Sequence, residues 1–102
     1  MPQRGRLARY RDNWRALRQA VDAVGAELER WPYERLDRDA EDQPPIRRWV
    51  GDAELEFWID RWQKAPNGDL TICIDAKGLP TLLGVKPSYQ FAKRPDGSTY
   101  YP

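Results

Sequence analysis

The sequence predicts an α+β domain: a long N-terminal helix packed on one face of an antiparallel sheet built from consecutive hairpins. Three observations carry this. Apolar residues recur at helical spacing from Leu7 to Trp31, two runs alternating at period two meet across Pro66-Asn67-Gly68-Asp69, and Pro95-Asp96-Gly97 separates the last two runs. A helical segment followed by strands, with no further alternation, gives two layers around one core. At 102 residues the chain is long enough for a single domain, 1–102, without disulfide staples.

The helix comes first. Leu7, Tyr10, Trp14, Leu17, Val21, Val24, Leu28 and Trp31 are spaced three, four, three, four, which aligns them in one narrow seam. Pro32 closes the helix, because it lacks a donor and pushes its predecessor out of the α region. The helix is then roughly 38 Å long at about 1.5 Å per residue. Residues 1–5 are expected to be a flexible N-terminus. The seam also suits a homodimer through the N-terminal helix. With Leu7 at position a, a parallel pair would bring Arg6 and Arg11 together across the seam with like charges opposed, whereas an antiparallel pair could bring Arg6 toward Glu27. Packing across the aliphatic face of the sheet is the favoured expectation.

Residues 33–45 read as an acidic linker ending in Pro44-Pro45, with room for one short helix behind Pro32. Ile46 to Val50 then reads as a strand, turning at Gly51-Asp52 with glycine at the first central position of a type II′ turn. That register pairs Val50 with Ala53, Trp49 with Glu54 and Arg47 with Glu56, and it points Arg48 toward the aliphatic side. Glu54 to Trp62 and Leu70 to Ala76 form the central hairpin. Asn67-Gly68 signals a type I′ turn, which needs positive φ at both central residues. Pairing Pro66 with Asp69 places Ile59 opposite Ala76 and Asp60 opposite Asp75. Leu55, Phe57, Ile59, Ile72 and Ile74 then share one face. Trp58, Asp60 and Trp62 share the other with Cys73 and Asp75, and Trp49 joins them.

Leu79 to Pro87 is too punctuated for a long element and too apolar for free loop, so it is expected to wrap the edge of the core. Ser88 to Arg94 and Ser98 to Tyr101 form the last hairpin, around a type I turn with Gly97 placed for a bulge. The expected core is Leu17, Val21, Val24, Phe57, Ile59, Ile72 and Ile74.

The composition narrows the chemistry. There is no histidine and only one cysteine. The usual general base near neutral pH is missing, with it the Ser-His and Cys-His dyads and the commonest metal ligand. No cofactor, no metal and no enzymatic activity are expected. Asp60 beside Asp75 could form an acid–base pair or an oxygen site for a hard cation, but nothing supplies a nucleophile or an oxyanion site there. No run is apolar enough to span a membrane and no signal peptide is evident, so a cytoplasmic protein is expected.

The net charge of +1 conceals a segregation: residues 1–20 carry +5, residues 21–60 carry −7 and residues 61–102 carry +3. Such asymmetry either guides association or pairs internally. Two functional expectations follow. The first is a small non-catalytic protein-binding module of inhibitor, immunity or adaptor type, as a bacterial or phage protein of this size could be. It would use Trp49, Trp58, Asp60, Trp62 and Asp75, since tryptophan buries much area with few rotors to freeze. The same face could instead be ordinary core, or an aromatic platform for a sugar. The second expectation is a nucleic-acid-binding accessory protein using Arg4, Arg6, Arg9, Arg11, Arg15 and Arg18 against phosphates. No helix-turn-helix, zinc-finger or RNA-binding signature accompanies those arginines.

Overall fold

Helix α1 (Pro2–Glu29) is followed by a seven-residue helix α2 (Tyr33–Asp39) and five strands: β1 (Ile46–Val50), β2 (Ala53–Lys64), β3 (Leu70–Lys77), β4 (Ser88–Lys93) and β5 (Thr99–Tyr100). The strands form one antiparallel sheet in chain order, β1-β2-β3-β4-β5. The computed structural model describes residues 2–102, with side chains from Gly5 onward. Of the expected flexible start, Met1 lies outside the described residues and residues 2–5 open α1. The protein is thus α+β, with its long helix on one sheet face.

The seam of α1 explains where it docks. Leu17, Val21, Val24 and Leu28 are buried against Leu55, Phe57, Leu70, Ile72, Ile74 and Phe91, and the helix lies across β3 and β4. Full burial of each such side chain contributes about 1.5–3 kcal/mol. Ile59, expected in the core, is only half-buried beside it. Helix and sheet approach closely at Gly25, where an added Cβ would lie 2.2 Å from the Tyr89 ring. The helix ends at Glu29, two residues before the expected Trp31. Its last turn tightens through Arg30 N–H to Glu27 O and Trp31 N–H to Leu28 O, both 3.1 Å. Lys93, buried on the core side of β4, donates to Glu29 O and, at 2.7 Å, to Trp31 O. A cation on the last carbonyls suits the negative end of the helix dipole.

The segment expected as a linker holds α2, whose Leu36 belongs to the core. Tyr33 Oη donates to Gly68 O, and Lys64 Nζ donates to Asp37 Oδ2 at 3.1 Å, which fastens α2 to the turn end of β2 and β3. The first hairpin has the expected register, with Val50 opposite Ala53, and Gly51 at φ 63°. Arg48 does point to the helix side. It projects past the core and donates to Glu27 Oε2 at 3.0 Å, the acid an antiparallel helix pair would have matched with Arg6.

The central hairpin differs from expectation twice. Its loop has three residues, Pro66 to Gly68, with Ala65 N–H on Asp69 O and Gly68 N–H on Ala65 O, both 2.8 Å. Only Gly68 has positive φ (94°); Pro66 pins the first turn position near −65°, which selects type I over type I′. Pairing near the turn is therefore Trp62 with Ile72 and Arg61 with Cys73. A β-bulge at Asp60 then shifts the register again, so that Ile59 meets Ile74 and Trp58 meets Asp75. Asp60 is not directly opposite Asp75, and Ile59 is not opposite Ala76. Because side chains alternate at period two, the extra residue exchanges faces along the rest of β2. Trp62 moves to the core side, half-buried against the core cluster, and Arg61 and Gln63 turn outward.

Candidate functional site

Among the described residues no element covers the second face of the sheet. Trp49 is 69 % exposed and Trp58 38 %. Around them stand Arg47, Glu54, Glu56, Asp60, Arg61 and Lys77, all exposed or half-exposed. β1 presents Trp49 beside Glu54 and Arg47 beside Glu56. Arg47 lies between the two acids, 3.8 Å from Glu54 and 3.9 Å from Glu56, as loose surface pairs worth little in water. Trp58 is held more firmly: its Nε1 donates to Glu56 Oε2 at 3.1 Å, and Lys77 Nζ sits 5.0 Å from its ring centroid. Trp49 stands opposite Glu54, four residues before Trp58, so the two tryptophans are rooted about 13 Å apart along the strand direction, with Arg47 and Glu56 between them. The expected patch of three tryptophans is instead two, Trp49 and Trp58, in a charged field.

Trp62 is not on this face. Its Nε1 is buried without a hydrogen-bond partner among the described residues. The sequence signal was present: apolar residues fall at 55, 57 and 59 and then at 62, a break in period-two phase that marks a bulge.

Asp60 and Asp75 remain close enough to influence each other despite the changed register. Burial pushes the Asp75 carboxyl above the ordinary aspartate range, and shared hydrogen bonding and repulsion from Asp60 add to it, with Lys77 and Arg61 acting the other way. Cys73, a free thiol opposite Arg61, is also pushed up, first by burial and then by Asp75. A thiol held protonated is a poor nucleophile. Among the described residues no group of three or more potential metal ligands comes together, and no helix is long and apolar enough to cross a membrane.

A second surface lies where α1 runs past the sheet. Leu7 is 55 % exposed and Trp14 39 %, although the seam alone puts both in the core. The segment between β3 and β4 comes alongside, held by Asn13 Nδ2 donating to Pro80 O at 2.8 Å. Leu79 packs against the core, and Thr81 and Pro87 are buried, as expected of a wrap at the core edge, but Leu82, Leu83 and Val85 face outward. Leu83 is held at φ 56°. Between helix and segment runs a groove of 280 Å³, lined by Leu7, Tyr10, Trp14 and Leu82 with Arg11 and Arg15 on its rim. An adjoining hollow is lined by Arg6, Arg9 and Pro80. Of the expected nucleic-acid set, Arg18 is engaged with Asp22 and with Ser88 O at 2.8 Å. The side chain of Arg4 lies outside the described residues.

The outer sheet face and this groove stand on the chain's own geometry, for no protein-family model matches it and neither a curated protein nor a solved structure does.

Proposed function

We propose that this is a non-catalytic protein-binding module, of inhibitor, immunity or adaptor type, that engages a folded partner through the outer face of its sheet. The observation that supports this best is the exposure of Trp49 and Trp58 on a sheet face that no element covers. Large aromatic surface within a polar surround is the composition of interface hot spots. Asp60 and Asp75 flank Trp58 and supply polar selectivity, while Trp62 acts from beneath by holding the strand. The protonated Cys73 thiol and the absence of histidine from the sequence fit binding better than catalysis. A cytoplasmic setting accords with a chain whose one cysteine allows no internal disulfide.

The test is affinity capture with the intact protein beside a Trp49→Ala/Trp58→Ala variant, after nuclease treatment. Both indoles are exposed, so the variant should fold. The partner should bind the wild type and weaken by about 2 kcal/mol or more in the variant. A partner held equally by both proteins would reject the outer face. The second reading, nucleic-acid binding by Arg6, Arg9, Arg11 and Arg15, is favoured by their exposure on the projecting half of α1. It requires affinity that falls steeply with salt.

A further inference from the structure

We infer that the groove between the projecting half of α1 and the β3–β4 segment is a second docking site, and that its occupant is an acidic amphipathic helix of a partner protein. The floor is apolar: Leu7, Tyr10, Trp14 and Leu82 line it, and Leu83, next to Leu82 in the chain, is 91 % exposed. Exposed leucines on two different elements that converge on one hollow are costly to leave in water, at about 25 cal/mol per Å² of apolar surface. The rim supplies charge. Arg6, Arg9, Arg11 and Arg15 make no ion pair among the described residues, although Arg18 on the same helix does. Residues 5–16 span about 18 Å of helix, which matches roughly three turns of an antiparallel or crossing partner. A ligand complementary to both parts has leucine-like anchors at i, i+3, i+4 and i+7 and carboxylates along the flanks.

Two other occupants fit less well. A second copy docked through the same surface would place these arginines against their own equivalents, and Glu27, the acid that could relieve Arg6, is already taken by Arg48 at 3.0 Å. A nucleic acid would use the arginines and could stack on Tyr10 or Trp14, but it leaves Leu7, Leu82 and Leu83 without a role.

The probe is a fluorescein-labelled Leu/Glu peptide with leucines at that helical spacing, titrated by anisotropy against the full-length protein. Controls are a peptide of the same composition with the leucines scrambled, and a poly(dT) oligonucleotide. Saturable binding of the patterned peptide is expected. It should weaken about tenfold or more in Leu82→Glu and in Leu7→Glu, and comparably in Arg11→Glu/Arg15→Glu. Both leucines are exposed, so circular dichroism and melting should match the wild type. Trp49→Ala/Trp58→Ala should bind the peptide normally, which separates this site from the outer sheet face. Equal binding of the scrambled peptide, no peptide binding, or tighter binding of poly(dT) would each overturn the assignment. So would sedimentation showing a dimer that Leu82→Glu dissolves.

Discussion

At Asp75, burial and the Asp60 carboxylate oppose ionisation while Lys77 and Arg61 favour it, and the opposing side prevails. A carboxyl whose folded proton affinity exceeds its unfolded value contributes stability at low pH. That contribution is lost as pH rises from about 4 through the folded value. Asp75→Asn should therefore raise Tm at neutral pH by roughly 1–3 °C, the shift expected from a fraction of a kcal/mol in a domain this size. The gain should disappear near pH 3, where Asp75 is protonated in the folded and the unfolded chain alike. A variant less stable than wild type at pH 7 would mean that Asp75 is held as a carboxylate by Arg61 or Lys77. Lys93 shows the opposite use of a buried charge. Burial lowers its proton affinity, yet its ammonium satisfies two carbonyls at the end of α1. Lys93→Met should cost about 1–3 kcal/mol in denaturant unfolding, because those buried acceptors lose their donor.

The bulge in β2 decides which tryptophan is structural. Trp62→Ala should destabilise by about 2–3 kcal/mol, below the full cost for a buried ring because Trp62 is only half-buried. Trp58→Ala should cost less than about 1 kcal/mol, and iodide should quench Trp58 in the free protein. Equal losses at the two positions would mean that the bulge does not exchange the faces. In α1 the decisive position is Gly25. Elsewhere in a helix Gly→Ala stabilises by about 1 kcal/mol. Here the new Cβ would meet the Tyr89 ring at 2.2 Å, so Gly25→Ala should instead destabilise by about 1–3 kcal/mol through overpacking. Thermal melts of Gly25→Ala and Gly25→Ala/Tyr89→Ala separate clash from propensity: the second substitution should recover part of the loss.

The molecule measures 54 × 24 × 18 Å with a radius of gyration of 15.4 Å, against about 13 Å for a rounded domain of this length. The excess comes from α1, whose first half passes beyond the sheet. Stability should be divided the same way. Leu17→Ala or Ile74→Ala should cost about 2–5 kcal/mol, since both side chains are fully buried. Leu7→Ala should cost only a few tenths of a kcal/mol. Amide exchange should likewise be faster in residues 7–14 than in 17–28, the part covered by the sheet. Uniform protection along α1 in the monomer would contradict this division.

Local chemistry determined the elements. The seam of α1, the Gly51-Asp52 hairpin with its register, and the Pro95-Asp96-Gly97 turn were legible because helical spacing and turn sterics act over a few residues. Gly97 does adopt φ 91°, and Arg94 N–H does reach Ser98 O at 2.8 Å. Pro66-Asn67-Gly68 has the same Pro-Asx-Gly pattern and makes the same turn, so its type was also readable from Pro66. The bulge left only a phase break at residues 59–62. Whether such a break becomes a bulge depends on packing Trp62 against the core rather than Arg61 and Gln63, which is a balance of long-range contacts. How far α1 extends past the sheet was likewise invisible, because a periodic seam records which residues align and not how much sheet lies beneath them. The exposed groove is a consequence of that mismatch in length between one helix and one narrow sheet, and the outer face stays open because the long helix packs on the other one.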